Sequence, residues 1–396
     1  MMQISPETQL FIREHSSDDV RVLALQAKKY PDIDMPTAIT QIAGRKVAAE
    51  KIPSWWEIEK IWYPKHLSLE QCSSEITARY KARLLQGDSL TDLTGGFGID
   101  CSFLATGFKS ATYVERQEEL CEIAAHNFPV LNLNHINIKN ENGVTYLQAM
   151  SPVDCLFLDP ARRNEHGGKT VAISDCEPNV AELEELLLHK ANRVMIKLSP
   201  MLDLSLALKE LKHTQEVHIL SVNNECKELL ILLGQTSPTE ISIHCVNLST
   251  KGTQEEQHFV FTREQEQCSE CTYTDSLETY LYEPNASLLK AGAFRSIAAA
   301  YPVRKLHPNS HLYTSDTFIE NFPGRIFRIV NQCSFNKKEV KENLADLKKA
   351  NVTVRNFPAT VAELRKRIHL AEGGDTYLFA STLNNGQKVL IRCEKV

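Results

Sequence analysis

The sequence predicts an α/β fold of Rossmann-like type, in which a mostly parallel sheet of seven strands carries helices on both faces. Short apolar segments alternate with helical segments between residues 89 and 233, and such alternation is typical of parallel sheets. The first strand runs directly into a glycine-rich turn at residues 95–98. In these sheets ligands bind at the carboxyl ends of the strands. We therefore expect the functional residues at that edge.

The elements of the sheet domain are predicted from apolar runs and from helical periodicity. Residues 68–87 have helical spacing, and Gly87 is expected to end that helix. The predicted strands cover 89–93, 111–114, 136–138, 155–158, 193–196, 216–222 and 228–233, and the helices between them 102–106, 118–127, 180–190 and 204–211.

Different patterns flank this domain. Before it, apolar residues recur at helical spacing, and Trp55, Trp56 and Trp62 are expected to pack in a helical layer rather than to form a platform for stacked bases. After it, an α+β pattern ends in a hairpin signal, Asn385-Gly386. We predict four segments: an N-terminal helical region (1–70), the sheet domain (71–235), an α+β domain (236–324) and a small basic domain (325–396).

Charge is distributed unevenly over the 396 residues. Residues 325–396 hold 14 Lys and Arg against 7 Asp and Glu, a balance of +7, whereas residues 1–324 have a balance of −13. A basic module on an acidic body favours an anionic partner, and nucleic acid is the commonest one. A solvated charged face is the alternative explanation.

Composition excludes several classes of protein. Hydrophobic residues make up 42% and charged residues 24%, so the chain as a whole is not disordered. No apolar run reaches the roughly 18 residues of a membrane span, and the start of the chain does not resemble a secretory signal. Eleven irregularly spaced cysteines indicate reduced thiols and a cytoplasmic protein. Cys268 and Cys271 form the only close pair, so we expect no metal site.

The glycine turn gives the sharpest indication of a ligand. Asp92 ends the first strand, and Thr94, Gly95, Gly96 and Gly98 follow it. A phosphate-binding loop would need a Lys that is absent here, and a dinucleotide fingerprint would need glycine where Cys101 stands. A carboxylate before the turn suits an ammonium better than a pyrophosphate. S-adenosylmethionine has an amino-acid tail and no phosphate, so it fits this turn best.

Polar residues at the ends of the next strands fit the same ligand. Glu115 ends the second strand, 23 residues after Asp92, where a carboxylate can accept hydrogen bonds from ribose hydroxyls. Asn142 follows the third strand and could contact an adenine. Asp159 and Pro160 follow the fourth strand, where methyl group and substrate would meet.

The chain resembles class I S-adenosylmethionine-dependent methyltransferases. More narrowly, it is similar to a bacterial family in which a ferredoxin-like and a THUMP-like domain follow the catalytic domain. The resemblance implies the Rossmann-like class I methyltransferase sheet of seven strands, and it implies an RNA substrate because THUMP domains bind RNA. The motifs that carry it cover residues 70–75, 92–98, 159–163, 196–200, 224–228, 282–285, 322–325 and 355–358.

The Asp-Pro motif limits the chemistry. Enzymes that methylate an exocyclic amine of a base usually have an aromatic residue two positions after the first proline, where it stacks on the base, and this chain has Arg162 there. Amine methylation is thus allowed but not assured. RNA uracil-C5 methyltransferases need a catalytic cysteine after the fifth strand. This chain has Lys197-Leu198-Ser199 at that place, so we expect no covalent cysteine intermediate.

Further side chains are expected around the substrate. Arg162 and Arg163 would clamp a phosphate or carboxylate, or would pair with the acidic residues at 174–178. Ser199 is a candidate substrate-binding residue. Lys197 is a candidate catalytic residue with Asp159 and Pro160, and an ion pair with Asp159 would keep that carboxylate ionised.

Four functions remain open. The first is an RNA methyltransferase, which would lose salt-sensitive RNA binding on deletion of 325–396. The second is a methyltransferase that acts on a protein or a small molecule. The third is an RNA-binding protein that binds S-adenosylmethionine without catalysis. A nicotinamide-dependent oxidoreductase is disfavoured by Cys101 and Asp92.

Overall fold

The structure is a computed structural model that describes residues 4–162, 172–236, 238–250 and 256–396, with the side chains of His66, Leu67 and Arg162 excepted. Two compact units are present. The first comprises residues 1–215 and 229–238, and the second residues 216–228 and 239–396. Within the described residues, no helix has both the length and the apolar character needed to cross a membrane.

The helices of the described residues are α1 (Pro6–Glu14), α2 (Val20–Leu25), α3 (Met35–Lys51), α4 (Pro53–Trp56), α5 (His66–Gln71), α6 (Glu75–Ala82), α7 (Ile99–Ala105), α8 (Glu118–Val130), α9 (Gly143–Ala149), α10 (Val180–Lys190), α11 (Leu204–Glu210), α12 (Arg263–Cys268), α13 (Ala286–Ala291), α14 (Ser296–Ala300), α15 (Lys337–Leu344) and α16 (Val361–Ile368). Short 3-10 turns occur at Ala27–Lys29 and Ile173–Asp175.

The strands of the described residues are β1 (Ser89–Asp92), β2 (Ser110–Glu115), β3 (Ile136–Asn140), β4 (Val153–Leu158), β5 (Ala161–Arg162), β6 (Cys176–Glu177), β7 (Ala191–Leu198), β8 (Thr214–Val222), β9 (Glu225–Gly234), β10 (Ser242–Leu248), β11 (Gln257–Thr262), β12 (Tyr280–Pro284), β13 (Arg304–Lys305), β14 (Tyr313–Ser315), β15 (Gly324–Ser334), β16 (Lys349–Val354), β17 (Ala371–Thr382) and β18 (Lys388–Lys395).

The first unit contains the predicted parallel sheet. Its strands lie in the order β3-β2-β1-β4-β7-β9. All neighbours from β3 to β7 are parallel, and β9 is antiparallel to β7. The α/β prediction is confirmed. Each of the seven predicted strands is present, but this unit holds six of them, because β8 lies largely in the second unit. The carboxyl ends of β1, β2 and β4 meet at one edge, where Asp92 lies beside Phe157 in the register.

The N-terminal helices pack against the rest of this unit through a hydrophobic core. Trp55 is 2% exposed, and its ring meets the ring of Phe97 at a centroid distance of 5.2 Å. Tyr63 belongs to the same cluster, and Trp62 stacks on His126 at 3.7 Å. Two of the three tryptophans therefore pack as predicted, whereas Trp56 is exposed. Because Phe97 lies in the glycine turn, this hydrophobic core packs against the turn and supports it.

The helix predicted over residues 68–87 is divided. One helix ends at Gln71, and the next spans Glu75–Ala82. Gly87 does not end a helix. A Cβ atom at Gly87 would lie 2.6 Å from the Cβ of Asp154, so glycine is needed there for close approach of the chain to β4.

The second unit has two groups of strands. β8 and β10 are parallel, and β10 is antiparallel to β11. The α+β domain predicted from residue 236 therefore begins with a strand that pairs in parallel with β8. The other group is a seven-stranded sheet in the order β13-β14-β12-β15-β18-β17-β16. Its pair β12–β15 joins residues before and after the predicted boundary at 324/325.

Candidate functional site

The glycine turn is held tightly against β2. Thr94 N donates to Asp92 Oδ1 at 2.9 Å, and the Tyr113 hydroxyl donates to the Gly96 carbonyl at 2.5 Å. A Cβ at Gly95 would lie 2.2 Å from the Tyr113 ring, so no larger residue fits there. Gly98 has φ +88° and leads into α7, in the left-handed region that favours glycine.

Asp92 is a buried acid with half of its carboxylate unsatisfied. Its side chain is 1% exposed, and among the described residues its Oδ2 has no hydrogen-bond partner. Burial raises the pKa of Asp92 to about 8. A buried polar atom without a partner is costly, and a bound cation would remove that cost. Asp92 therefore fits the ammonium group that the sequence predicts for its ligand.

Glu115 connects the end of β2 to the turn. Its Oε2 accepts a hydrogen bond from Gly96 N at 2.9 Å, and its Oε1 accepts one from Gln117 N at 2.8 Å. A carboxylate has about four acceptor positions. Glu115 can therefore hold the turn and still accept hydrogen bonds from hydroxyl groups of a ligand.

Asn142 begins α9. Its Oδ1 accepts hydrogen bonds from Val144 N at 2.9 Å and from Thr145 N at 3.3 Å, which is the pattern of a helix N-cap. A Cβ at Gly143 would lie 2.1 Å from the Leu93 carbonyl oxygen, so the start of α9 lies directly against the end of β1. Asn142 thus has a structural role beside the turn, and its contact with adenine stays a prediction.

Asp159 is fixed to the glycine turn and to a lysine. Its backbone N–H donates to Thr94 Oγ1 at 2.6 Å, which joins the end of β4 to the turn after β1. Lys197 Nζ lies 2.5 Å from Asp159 Oδ2. Pro160 is buried. The predicted contact between Lys197 and Asp159 is therefore present.

Lys197 belongs to a larger buried network. Its Nζ donates to Ser73 Oγ at 3.0 Å and to Asp100 Oδ2 at 3.1 Å. Lys81 Nζ lies 2.8 Å from Asp100 Oδ1 and donates to Ser73 Oγ at 2.7 Å. Ser73 in turn donates to Asp100 Oδ2 at 2.7 Å. Every proton of the Lys197 ammonium thus has an acceptor.

The network sets the ionisation of its acids. Burial by itself would raise the pKa of Asp100, but the ammonium groups of Lys197 and Lys81 hold that pKa below its usual range. Burial also raises the pKa of Asp159, and Lys197 offsets only part of this rise. The expectation that this ion pair keeps Asp159 ionised stays a prediction, since burial and Lys197 act on the pKa of Asp159 in opposite directions.

Three members of this network were not predicted as site residues. Ser73 lies between α5 and α6, Lys81 in α6 and Asp100 in the first turn of α7. The available signal was Lys197 itself, because a lysine at the end of a buried strand requires counter-charges. The sequence does not say which of the acids supplies them.

The structure describes only some of the residues that are predicted to contact the substrate. Arg162 ends β5, whose backbone pairs with β6 at Cys176, and its side chain is outside the described part of the structure. Arg163 also lies outside the described residues. Ser199 follows β7, and its Oγ accepts a hydrogen bond from Met201 N at 3.3 Å, which shapes the turn at that strand end.

Comparison with known proteins finds similarity over the full length of the chain. A candidate methyltransferase from Porphyromonas gingivalis W83, known as a crystal structure, is 34% identical, with a TM-score of 0.87 and 100% coverage of both chains. A family model described as a ferredoxin-like domain matches residues 280–323, and one described as THUMP domain-like matches residues 324–395. The resemblance stated from the motifs is therefore confirmed. No curated protein matches the chain significantly.

Other solved structures match a smaller part. An rRNA methylase from Streptococcus thermophilus is 15% identical, with a TM-score of 0.29, and covers 40% of this chain and 93% of its own. A candidate methyltransferase from Streptococcus mutans, in complex with SAH, is 12% identical, with a TM-score of 0.30, and covers 40% of this chain and 96% of its own.

Proposed function

The chain belongs to the family of class I S-adenosylmethionine-dependent methyltransferases that carry a ferredoxin-like and a THUMP-like domain, and we propose that it methylates a base in RNA. One observation carries the cofactor assignment: among the described residues, the buried Asp92 Oδ2 lacks a partner, and it lies beside a turn that needs glycine at positions 95 and 98. A cationic amino-acid tail supplies the missing partner. The RNA assignment is supported by the THUMP domain-like match over residues 324–395.

The residues around the turn would each bind a different part of the cofactor. Asp92 would hold the ammonium, Glu115 the ribose hydroxyls and Asn142 the adenine. Thr94, Gly95, Gly96 and Gly98 leave room for close approach of the ligand to the backbone. When bound there, S-adenosylmethionine supplies an electrophilic methyl group on its sulfonium.

Asp159 would orient the nucleophile. Its Oδ2 pairs with Lys197 and its backbone N–H with Thr94, so the carboxylate stands at a fixed place beside the cofactor turn. A carboxylate so placed can accept a hydrogen bond from an amino group of a base and direct its lone pair. Pro160 restricts the backbone at that point. Lys197 acts through Asp159 as a positioning residue.

The cysteines of the described residues near the site do not support a covalent cysteine mechanism. Cys155 lies inside β4 and Cys101 inside α7, and both are buried. Burial raises the pKa of Cys155 to about 11, so its thiol stays protonated at neutral pH. Thiolate is the nucleophilic form. We therefore propose direct transfer of the methyl group to a nitrogen nucleophile of the base.

The basic C-terminal segment would hold the RNA backbone. Helices α15 and α16 bury Leu344 and Leu364 in one core cluster. Lys337, Lys338 and Lys341 on α15 are exposed. Exposed lysines bind phosphates without reading sequence, and Arg162, Arg163 and Ser199 would contact the nucleotide nearer the site.

The test is methyl transfer to RNA. Total RNA from cells that lack the gene is incubated with the protein and methyl-labelled S-adenosylmethionine, and labelled nucleosides are identified by mass spectrometry. We expect one labelled base. Asp159→Ala should lower the rate by about 10²-fold or more, the usual contribution of a positioned polar group, while cofactor binding measured by calorimetry is kept.

A protein fraction from the same cells serves as the competing substrate. Label in protein or in small molecules, and none in RNA, would contradict the RNA assignment and favour a methyltransferase that acts on those substrates. Binding of RNA and cofactor without any transfer would favour the non-catalytic alternative. Equal transfer by Asp159→Ala would contradict the role of Asp159.

A further inference from the structure

Three histidines lie together on neighbouring strands of the second unit. His218 on β8 is directly opposite His244 in the parallel register. His258 lies on β11, the other neighbour of β10. Glu216 stands two residues before His218 on β8, and alternate residues of a strand share one face. One face of three strands therefore presents three imidazoles and a carboxylate.

The side chains are in contact. His218 Nε2 lies 3.2 Å from Glu216 Oε2, and His244 Nδ1 lies 3.1 Å from His258 Nε2. The rings of His218 and His244 stack at a centroid distance of 4.3 Å. One potential ligand atom from each of Glu216, His218 and His244 lies within 4.8 Å of the other two.

One of the ligand distances already matches a metal site, and the others, which are within 4.8 Å, would shorten on binding. Zinc bonds of about 2.0–2.1 Å in tetrahedral geometry put ligand atoms about 3.3 Å apart. The Glu216–His218 distance of 3.2 Å already has this value. We propose that Glu216, His218 and His244 bind a divalent transition-metal ion, with His258 in contact with His244.

The cluster is accessible from one side. His218 is 2% exposed, whereas Glu216 and His244 are partly exposed, so an ion could reach the cluster from that side. Imidazole nitrogens are the commonest metal ligands among protein side chains.

The donor set selects the class of ion. Two imidazoles and one carboxylate suit Zn²⁺, Co²⁺, Ni²⁺ or Cu²⁺, whereas Mg²⁺ and Ca²⁺ prefer oxygen ligands. Three protein ligands leave a position for water. The sequence prediction of no metal rested on Cys268 and Cys271, and this site uses neither.

The ligands come from two strands of the second unit. An ion would bridge the neighbouring strands β8 and β10. Along the chain, residues 223–241 separate these two strands. His258 would act on His244 through their 3.1 Å contact, since a ligating histidine is usually oriented by a partner on its second nitrogen. Its removal should weaken binding less than removal of a ligand.

The experiment uses the full chain without a histidine tag, after treatment with a chelator. Co²⁺ is added and followed by its visible absorption, and Zn²⁺ by calorimetry. We expect one ion per chain and a spectrum without thiolate charge-transfer bands. His244→Ala and Glu216→Gln should each weaken binding at least tenfold, since even loss of an outer partner costs about 10- to 100-fold.

Controls separate the site from other donors and from misfolding. His189→Ala alters an exposed histidine of α10 and should leave the affinity unchanged, as should Cys268→Ser. Glu216→Gln keeps the size of the side chain, and unfolding of each metal-free variant is measured beside the parent. The proposal would be overturned if the parent showed no saturable binding or gave a thiolate band. It would also be overturned if His244→Ala and Glu216→Gln bound the ion as tightly as the parent does.

Discussion

At the scale of single residues, the charges around Asp159 are the main feature of the site. Lys197 and Lys81 lie among Asp92, Asp100 and Asp159, so two cations serve three acids. Asp92 is the acid whose pKa is raised to about 8 and whose Oδ2 lacks a partner among the described residues. The positive charge of a bound ammonium would give Asp92 the counter-charge that the two lysines do not supply.

Lys197→Met is expected to separate positioning from cofactor binding. The variant leaves Asp159 without its 2.5 Å partner and Asp100 with one cation fewer. The free energy of unfolding should fall by about 3–5 kcal/mol, as for other broken buried pairs. Methyl transfer should fall about 10²-fold through misplacement of Asp159, measured as kcat with saturating cofactor.

Lys197→Arg is the conservative comparison, because it keeps the charge. Lys197→Arg should keep more activity than Lys197→Met. Lys209 is exposed, and Lys209→Met should change neither the free energy of unfolding nor kcat. Full activity of Lys197→Met would show that Asp159 needs no positioning partner.

Gly95→Ala should disturb the turn. The new Cβ would lie 2.2 Å from the Tyr113 ring, and that ring is fully buried, so it has little room to move. Overpacking of this kind costs about 1–3 kcal/mol. Denaturant unfolding and cofactor affinity should both weaken. Gly107→Ala is the matched control, because its Cβ would meet only the Leu104 carbonyl at 3.8 Å; equal behaviour of the two variants would contradict this account of the turn.

Much of the site could be predicted at this scale because local rules apply to it. Asp92, Glu115 and Asp159 each end a strand, and parallel strand ends share an edge. Ser73, Lys81 and Asp100 could not be assigned, since only packing of α6 against α7 brings them to Lys197. The N-cap role of Asn142 was also missed, although Asn is a preferred N-cap residue.

At the scale of elements, buried apolar runs predicted the seven strands between residues 89 and 233, although β8 belongs largely to the second unit. The helix over 68–87 was predicted as one because its periodicity continues across Cys72–Ser74, where the chain is not helical. Contacts of Ser73 with Lys81 and Lys197 explain why the backbone departs from the helix at that point. Periodicity carries no information about such distant partners.

The N-terminal helical layer is expected to support the cofactor turn. Trp55→Ala removes a buried ring that contacts Phe97, so the free energy of unfolding should fall by about 3–5 kcal/mol. Cofactor affinity should fall with it. Trp56→Ala is the control: this ring is 42% exposed and lies over Arg45, an interaction worth about 0.5–1 kcal/mol. Equal losses for both variants would contradict the assigned core.

At the scale of the whole molecule, the last 72 residues are not a removable module. β15 pairs with β12, and Leu281 and Leu306 share a core cluster with Phe327 and Phe379. Deletion of 325–396 would remove strands and core from residues 280–323 as well. Surface substitutions therefore test RNA binding better than the deletion that the sequence suggests.

Lys337, Lys338 and Lys341 are the residues to change. Their triple substitution by Gln on exposed positions of α15 should leave the fold intact. If each lysine neutralises a phosphate, RNA affinity should fall, and the slope of log affinity against log salt should decrease by about 0.7–0.9 for each phosphate that is no longer neutralised. Fluorescence anisotropy at several salt concentrations measures both.

The matched control removes the same charge elsewhere. Lys28, Lys29 and Lys60 are also exposed, and they lie in the N-terminal helical region. Their substitution by Gln should leave the salt slope unchanged. Equal effects of the two triple variants would show that net charge, rather than the C-terminal segment, governs RNA binding.

The central claim is that Asp92 binds the ammonium of S-adenosylmethionine, and calorimetry from pH 6 to pH 8 tests it most directly. Asp92 keeps its proton below about pH 8, so ammonium binding releases a proton and strengthens as the pH rises. We predict a gain in affinity of up to about tenfold per pH unit. Asp92→Asn, which can still accept from Thr94 N, should bind weakly and without this dependence. Binding that is equally tight in both proteins and flat with pH would contradict the claim.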